Sequence, residues 1–181
     1  AEAMGRADVL VSTITDQIDS KLLARAGDKL KLIANYGAGV DNIDVATARQ
    51  RGIHVSNTPG VMTEDTADMV MTLILAVTRR MGEGMRLAQS GDWSGWSPTA
   101  MLGGRLRGRR LGILGMGRIG QAVARRAAAF GIQVHYHNRK PLDPQHAGDA
   151  IYHDSVEALL ANIDVLSIHC PASDATRGLL N

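Results

Sequence analysis

The chain has 181 residues, 45% of them apolar, and a net charge of +2, so it can bury a core in one or two domains. Aromatic residues make up only 3%, which leaves few platforms for nucleic-acid bases, so the clustered arginines predict a solvated loop beside an anionic cofactor instead. With one cysteine, no signal peptide and no long apolar span, the sequence predicts a soluble cytoplasmic protein without disulfides or membrane contact.

The first third of the chain alternates between predicted strands and predicted helices. Short apolar runs predict strands over residues 7–12, 30–34 and 53–56, and helices are predicted over residues 20–26 and 45–51. This alternation indicates parallel strands joined by crossover helices.

A long helix is predicted to begin near Thr63. Glu64 and Asp65 suit its positive N-terminal end. Its centre, residues 69–77, is almost entirely apolar, so we expect it to be buried between two layers. Residues 91–104 then predict an irregular connection.

Residues 111–140 have the pattern of a dinucleotide-binding unit. An apolar strand runs into Gly115-x-Gly117-x-x-Gly120, a helix-forming stretch follows, and residues 132–136 predict a second strand. In such a unit the first glycine makes the tight turn, the second lets the backbone approach the pyrophosphate, and the third lets helix and strand pack closely. A glycine-rich βα turn could match by chance, but here the flanking strands and helix stand where the motif requires them.

The residues after the second strand bear on the choice of cofactor. An NAD site expects an acidic residue there for the ribose hydroxyls, whereas this chain has Asn138, Arg139 and Lys140. The missing carboxylate removes repulsion against a 2′-phosphate, and the two cations add attraction. We therefore predict NADP in preference to NAD, which stays possible, since the two charges could also be solvated loop residues before Pro141.

A helix over residues 154–161 and a strand over residues 164–169 complete the predicted elements. The fold class is thus α/β with a doubly wound parallel sheet of the Rossmann type.

Five segments of the chain form a recognisable series: NYGAGVDNID at 35–44, GIHVSNTPG at 52–60, TEDTAD at 63–68, GILGMGRIG at 112–120 and HCPASDATRGLLN at 169–181. In this order, along essentially the whole chain, they resemble the D-isomer-specific 2-hydroxyacid dehydrogenases. Two further segments, GDWSGWSPTAMLG at 91–103 and YHNRK at 136–140, resemble the glyoxylate/hydroxypyruvate reductase branch of that family.

The resemblance implies two partial domains. Residues 1–62 would form part of a flavodoxin-like substrate-binding domain. Residues 63–181, including the long crossover helix, would form part of an NAD(P)-binding Rossmann domain. We accordingly expect the chain to be the middle of a longer enzyme.

The resemblance also implies roles for individual residues. The backbone N–H groups of Ala38 and Gly39 would hold the substrate carboxylate, although a simple βα turn would need small residues equally. Thr66 would lie near the nicotinamide, or else be a helix residue without a ligand. Arg118 and Ile119 would donate to the pyrophosphate.

On the adenosine side, the resemblance implicates Pro171 and, more weakly, Thr176. The family's catalytic Arg, Glu and His lie downstream of the last predicted strand, which here means beyond Asn181. We therefore expect no catalytic residue and no activity in this chain alone, and we predict no metal site. None of its six histidines stands in the family's catalytic motif: His54, His135, His137, His146, His153 and His169.

The predicted function is NAD(P)H-dependent reduction of a small 2-oxo acid, glyoxylate or hydroxypyruvate, to the 2-hydroxy acid. One alternative is another member of the family, such as a D-3-phosphoglycerate dehydrogenase. An alternative of a different class is a dinucleotide-sensing protein like the family's corepressors.

The resemblance implies a homodimer, and the segment with Trp93 and Trp96 is predicted to pack against the partner subunit or, alternatively, over its own core.

Overall fold

A computed structural model describes residues 5–171 and 173–180. The chain divides into two compact units, Ala1–Met62 and Thr63–Asn181. Each unit has a separate cluster of buried apolar side chains, so each is described by itself.

The first unit holds a three-stranded parallel sheet and two short helices. Strands β1 (Val9–Thr13), β2 (Leu32–Tyr36) and β3 (His54–Ser56) lie side by side in chain order, with helices α1 (Ser20–Ala24) and α2 (Val45–Gln50) as crossovers. This confirms the predicted alternation, with boundaries shifted by up to two residues. The core contains one residue each from α1, β2 and α2, together with apolar side chains of the connecting segments. Its members are Leu23, Ile33 and Ala48 from those elements, and Ile18, Ala26, Leu30, Ile43 and Ile53 from the connections.

The second unit holds a four-stranded parallel sheet. Its strands are β4 (Arg110–Leu114), β5 (Gln133–His137), β6 (Ile151–Tyr152) and β7 (Val165–Ile168), in the spatial order β6-β5-β4-β7. Counted from β4 the order is 3-2-1-4, which contains the reversal of a doubly wound sheet. The predicted fold class is therefore confirmed. The reversal between β4 and β7 makes their carboxyl ends the expected place for a ligand.

Helices cover this sheet and connect its strands. The helices of this unit are α3 (Thr63–Thr78), α4 (Met81–Ser90), α5 (Arg118–Ala129), α6 (Pro144–Ala147) and α7 (Val156–Leu160). Helix α5 packs against β4, β5 and α3, and its Ala122, Val123 and Ala127 belong to the core of this unit. The strand β6 and the helix α6 were not predicted because two and four residues are too few to show a period.

The expectation that the centre of the long helix is buried between two layers is wrong. Helix α3 buries one face against α5, whereas Met69, Leu73 and Val77 are 59%, 56% and 77% exposed. The apolar run is continuous because two opposite faces are apolar, and in this chain only one of them is covered. The uncovered face is called the exposed α3 face below.

The long helix also ends earlier than its composition suggests. The backbone turns at Arg80, whose φ of 53° lies in the left-handed region, and α4 begins at the next residue. Beyond α4, residues 92–97 have no regular structure, as predicted for this connection. In the described part of the chain, no helix combines the length and apolarity needed to cross a membrane.

Candidate dinucleotide and carboxylate sites

The glycine-rich loop joins β4 to α5, and its three glycines differ in what surrounds them. Gly115 has φ +92°, and a Cβ there would lie 2.6 Å from the backbone nitrogen of Cys170. A Cβ at Gly120 would lie 2.9 Å from the carbonyl oxygen of Gly115 and 3.0 Å from Cγ2 of Ile113. At Gly117, by contrast, a Cβ would meet no described atom within 4 Å. Protein atoms therefore crowd the first and third glycines, while the second faces open space.

Helix α5 begins beside that open space. Gly117 is its N-cap and supplies no side-chain cap. Within the described residues, the N–H groups of Arg118 and Ile119 have no hydrogen-bond acceptor, and no acidic residue stands in the first turn. Free N–H groups at the positive end of a twelve-residue helix suit an anion such as a pyrophosphate.

Three polar residues follow β5 at the same edge of the sheet. Oδ1 of Asn138 accepts a hydrogen bond from the N–H of Met116 at 2.7 Å, so this side chain holds the glycine-rich loop. Arg139 and Lys140 are exposed, and neither forms an ion pair with a described carboxylate. The loop-holding role of Asn138 was missed from the sequence, because nothing in the local pattern shows a contact across 22 positions.

A cavity of about 270 Å³ lies at the carboxyl ends of β4 and β7. Thr176 lines it and also holds the chain that follows β7, since its Oγ1 donates to the carbonyl of Pro171 at 2.7 Å and accepts from the N–H of Ser173 at 2.9 Å. Pro171 is exposed, and Thr66 is half-buried near the start of α3. The structure thus brings Pro171 and Thr176 together beside the strand reversal. The cavity is lined by Leu114, Ile168, Cys170, Thr176, Gly178, Leu179 and Leu180.

In the first unit, the loop after β2 is held through three consecutive carbonyl groups. The carbonyl of Gly37 accepts from the N–H of Thr58 at 3.0 Å. That of Ala38 accepts from Nδ2 of Asn57 at 2.7 Å, and that of Gly39 accepts from Nδ2 of Asn35 at 2.8 Å. Within the described residues, the N–H groups of Ala38 and Gly39 have no acceptor. Fixed carbonyls and free N–H groups make this loop suited to an anion.

A buried network of polar side chains supports that loop. Asn35 and Ser12 are 2% and 1% exposed, and Oγ of Ser12 donates to Oδ1 of Asn35 at 2.9 Å. Nδ2 of Asn42 donates to the carbonyls of Thr13 and Asp16 at 3.0 and 2.9 Å. No buried side-chain polar atom in the described part of the chain lacks a partner, so the network is fully satisfied and rigid.

Four of the six histidines have polar partners of their own. Nδ1 of His135 lies 2.8 Å from Nε2 of His153, and burial lowers the pKa of His135, with the charge of His153 lowering it further. His137 contacts the carbonyl of His153 at 2.8 Å. Nε2 of His169 lies 2.9 Å from Oγ of Ser167, and burial lowers the pKa of His169. The other two, His54 and His146, are exposed. Among the described residues, no group of three or more potential ligands is placed to hold a metal ion.

The expectation that the arginine cluster lies beside the cofactor is wrong. Residues 105–109 precede β4 and Arg110 begins it, so the cluster lies at the amino ends of the parallel strands, whereas the glycine-rich loop follows the carboxyl ends. The other pair, Arg125 and Arg126, forms ion pairs with Glu64 and Asp68 in α3 at 2.6 to 3.1 Å. Position before rather than after a strand decides which edge of the sheet a loop occupies.

A parallel sheet with a 3-2-1-4 order and a glycine-rich turn into a helix defines a dinucleotide-binding protein of the Rossmann class. Residues 71–181 match the family described as D-isomer specific 2-hydroxyacid dehydrogenase, NAD binding domain. The chain belongs to this family of oxidoreductases, and its cofactor is a nicotinamide dinucleotide.

Individual relatives agree with this assignment. The chain is similar to a glyoxylate reductase of Thermococcus litoralis, with 46% identity over 97% of this chain and 54% of the relative. It is also similar to a solved protein from Thermus thermophilus, with 46% identity and a TM-score of 0.90 over 99% of this chain and 56% of that one. A solved glyoxylate reductase from Paecilomyes thermophila is 35% identical, with a TM-score of 0.89, over 98% of this chain and 55% of that one. The chain thus spans about half the length of the relatives it matches.

Proposed function

We propose that the chain is part of an NADPH-preferring reductase that converts glyoxylate or hydroxypyruvate to the corresponding 2-hydroxy acid. The second unit binds the dinucleotide as a Rossmann domain, and the first unit contributes part of a substrate-binding domain. The observation that carries the proposal is the open space at Gly117, bordered by the free N–H groups of Arg118 and Ile119.

The preference for NADPH rests on the residues after β5. The side chain of Asn138 is neutral and its Oδ1 is already occupied by the N–H of Met116. It therefore lacks the negative charge and the second carboxylate oxygen that an acidic residue offers to the hydroxyls of an unphosphorylated ribose. The exposed Arg139 and Lys140 provide the charge that attracts a 2′-phosphate, and the arginine fork can donate two parallel hydrogen bonds to it.

The remaining cofactor contacts are proposed from residues at or near the carboxyl edge of the second unit's sheet. Arg118 and Ile119 donate backbone N–H groups to the pyrophosphate, with Gly115 and Gly120 shaping the loop. Pro171 and Thr176, beside the cavity between β4 and β7, border the adenosine side. Thr66, near the start of α3, lies toward the nicotinamide end.

The substrate class rests on the loop after β2. The N–H groups of Ala38 and Gly39 bind the carboxylate of the 2-oxo acid, because their carbonyls are held elsewhere and their side chains leave room for close approach. When bound, the nicotinamide supplies the hydride that reduces the keto carbon. This chain's share of the reaction is to hold the cofactor and the substrate carboxylate in fixed positions. None of its histidines is assigned a catalytic role.

We also propose that the partner is a second copy of the chain, bound through the exposed α3 face and the apolar side chains near it. Trp93 and Trp96 are 65% and 85% exposed, and Trp93 lines an apolar groove of about 500 Å³ along α4. Exposed apolar side chains that line a groove are characteristic of an interface. Sedimentation should give a dimer, and Leu73→Glu should make it monomeric, while Leu160→Glu, at an exposed leucine elsewhere, should leave it dimeric. A wild-type chain that sediments as a monomer would contradict the proposal that the partner is a second copy.

The experiment for the main proposal has two parts. Titration of the chain with NADPH and NADH, followed by nucleotide fluorescence, should show binding of both and tighter binding of NADPH. Absorbance at the nicotinamide band should then show NADPH oxidation by the protein that carries this chain when glyoxylate or hydroxypyruvate is added. Tighter binding of NADH would contradict the cofactor preference, and oxidation with neither acid would contradict the substrate class.

A further inference from the structure

The amino edge of the second unit's sheet carries a strongly basic pocket, at the opposite end of the strands from the glycine-rich loop. Its volume is about 540 Å³, and it holds four guanidinium groups and one carboxylate, a local charge of +3. The strand β4 separates the two edges, and five residues at about 3.3 Å each give a separation of about 17 Å. The pocket, called the arginine pocket here, is lined by Arg105, Arg107, Gly108, Arg109, Arg110 and Asp164.

The backbone beneath the arginine pocket is fixed at several points. Leu106 is 7% exposed and belongs to the core, and the N–H of Arg109 donates to its carbonyl at 2.9 Å. Gly108, with φ +81°, donates its N–H to the carbonyl of Gly131 at 2.8 Å. The N–H of Arg110 donates to Oδ2 of Asp164 at 2.8 Å. The arginines therefore extend from a backbone already held in place, which reduces the entropy lost when a ligand orders them.

The one carboxylate in the pocket does not balance its charge. Asp164 already accepts from Nε and Nη2 of Arg110 at 3.3 and 3.1 Å and lies 4.0 Å from Arg109. Arg105 and Arg107 are exposed and form no ion pair within the described part of the chain. The guanidinium groups of Arg105 and Arg107 thus remain without a counter-charge, whereas that of Arg110 is paired with Asp164.

We propose that the arginine pocket binds a compact anion with two or more phosphate groups, at a site separate from the dinucleotide loop. Planar guanidinium forks match phosphate oxygens in pairs, and several forks around one pocket favour a ligand with several phosphates. No aromatic side chain lines the pocket, so it has no surface on which a base could stack. The ligand is recognised by its phosphates, and a small phosphorylated molecule fits this chemistry.

Isothermal titration of the chain with inorganic tripolyphosphate, at low and at physiological salt, tests the proposal. The variant Arg105→Gln/Arg107→Gln should bind weaker than the wild type by at least about tenfold, because two charge-assisted contacts are lost. The matched control Arg49→Gln/Arg86→Gln removes two exposed arginines elsewhere and should bind like the wild type. Equal weakening in both variants would show diffuse attraction to a basic protein and would overturn the proposal.

Two further variants separate the arginine pocket from the dinucleotide loop. Asp164→Asn removes the only carboxylate that lines the pocket and frees Arg110, so tripolyphosphate should bind about threefold more tightly or better. Gly117→Val, which fills the open space at the glycine-rich loop, should leave this affinity unchanged. If Gly117→Val weakens tripolyphosphate binding as much as the Arg105→Gln/Arg107→Gln variant, the anion occupies the dinucleotide loop and the proposal fails. Absence of any tripolyphosphate binding would overturn it as well.

Discussion

The side chain of Asn138 fastens the glycine-rich loop to the end of the neighbouring strand, because its Oδ1 accepts a hydrogen bond from the N–H of Met116 at 2.7 Å. Met116 is 1% exposed and lies between the first two glycines of the loop. One residue therefore follows β5, at the position proposed to face the ribose, and also holds the loop proposed to meet the pyrophosphate. Its two roles can be separated by substitution.

Asn138→Ala should weaken the binding of NADPH and NADH alike. The variant removes the acceptor for the N–H of Met116, and a part-buried donor left without a partner costs about 1–3 kcal/mol. Asn138→Asp keeps an acceptor at the same place but adds a negative charge, so it should weaken NADPH more than NADH. Nucleotide fluorescence titrations of both variants with both cofactors check this. A selective loss of NADPH in Asn138→Ala would show that the side chain serves the phosphate rather than the loop.

Arg139→Asp should weaken NADPH by about one to two decades in affinity and leave NADH unchanged or improved. A hydrogen bond to a charged group contributes about 1.5–3 kcal/mol, and here attraction to the 2′-phosphate would become repulsion. The matched control is Arg86→Asp, which makes the same change of charge at an exposed arginine in α4. Equal losses for both cofactors would mean that Arg139 touches a part common to them, or no part at all.

The sequence allowed the parallel α/β class and the order of the larger elements to be predicted, because the apolar periods and the glycine spacing are local signals. It did not show which face of α3 is covered, since an apolar run is equally apolar whether its second face has a partner or not. It also did not show the contact between Asn138 and Met116 or the network around Asn35. The contacts of Asn138 with Met116 and of Asn35 with Ser12 join positions 22 and 23 residues apart, and only the folded sheet brings them together.

The second and third glycines of the loop should respond differently to the same substitution. Gly117→Val places its side chain in space that holds no described atom within 4 Å, so thermal unfolding should change little while dinucleotide affinity falls. Gly120→Val brings a Cβ to 2.9 Å from the carbonyl oxygen of Gly115, so overpacking should lower stability by about 1–3 kcal/mol. Calorimetry and cofactor titration on both variants make the comparison. If Gly117→Val leaves the affinity for the dinucleotide unchanged, the dinucleotide does not bind at this loop.

The ion pair of Asp164 should make stability depend on pH in the acid range. Hydrogen bonds from the side chain and the backbone of Arg110 lower the pKa of Asp164 to about 2, below the usual value of about 3.9 for the unfolded chain. The folded state therefore binds the proton less readily. The contribution to stability is fully present above about pH 4 and is lost as the pH falls through about 2. Asp164→Asn should unfold at a lower temperature than the wild type at neutral pH, and the difference should shrink toward pH 2. A difference that is constant with pH would show that charge is not its cause.

The loop proposed to bind the substrate carboxylate offers a contrast between an exposed and a buried asparagine. Asn57 holds the carbonyl of Ala38 from an exposed position, so Asn57→Ala should leave the free energy of unfolding nearly unchanged. It should nevertheless raise KM for glyoxylate, with kcat and KM for NADPH much less affected, because only the peptide that presents an N–H to the carboxylate is loosened.

Asn35 holds the carbonyl of Gly39 from within the core and also accepts from Ser12. Asn35→Ala should therefore raise KM for glyoxylate and also lower the free energy of unfolding by about 1–3 kcal/mol, because it leaves buried polar groups without partners. Urea unfolding of both variants, together with steady-state kinetics of the protein that carries the chain, separates the two effects. If Asn57→Ala changes kcat and KM for NADPH as much as KM for glyoxylate, the loop after β2 is not the carboxylate site.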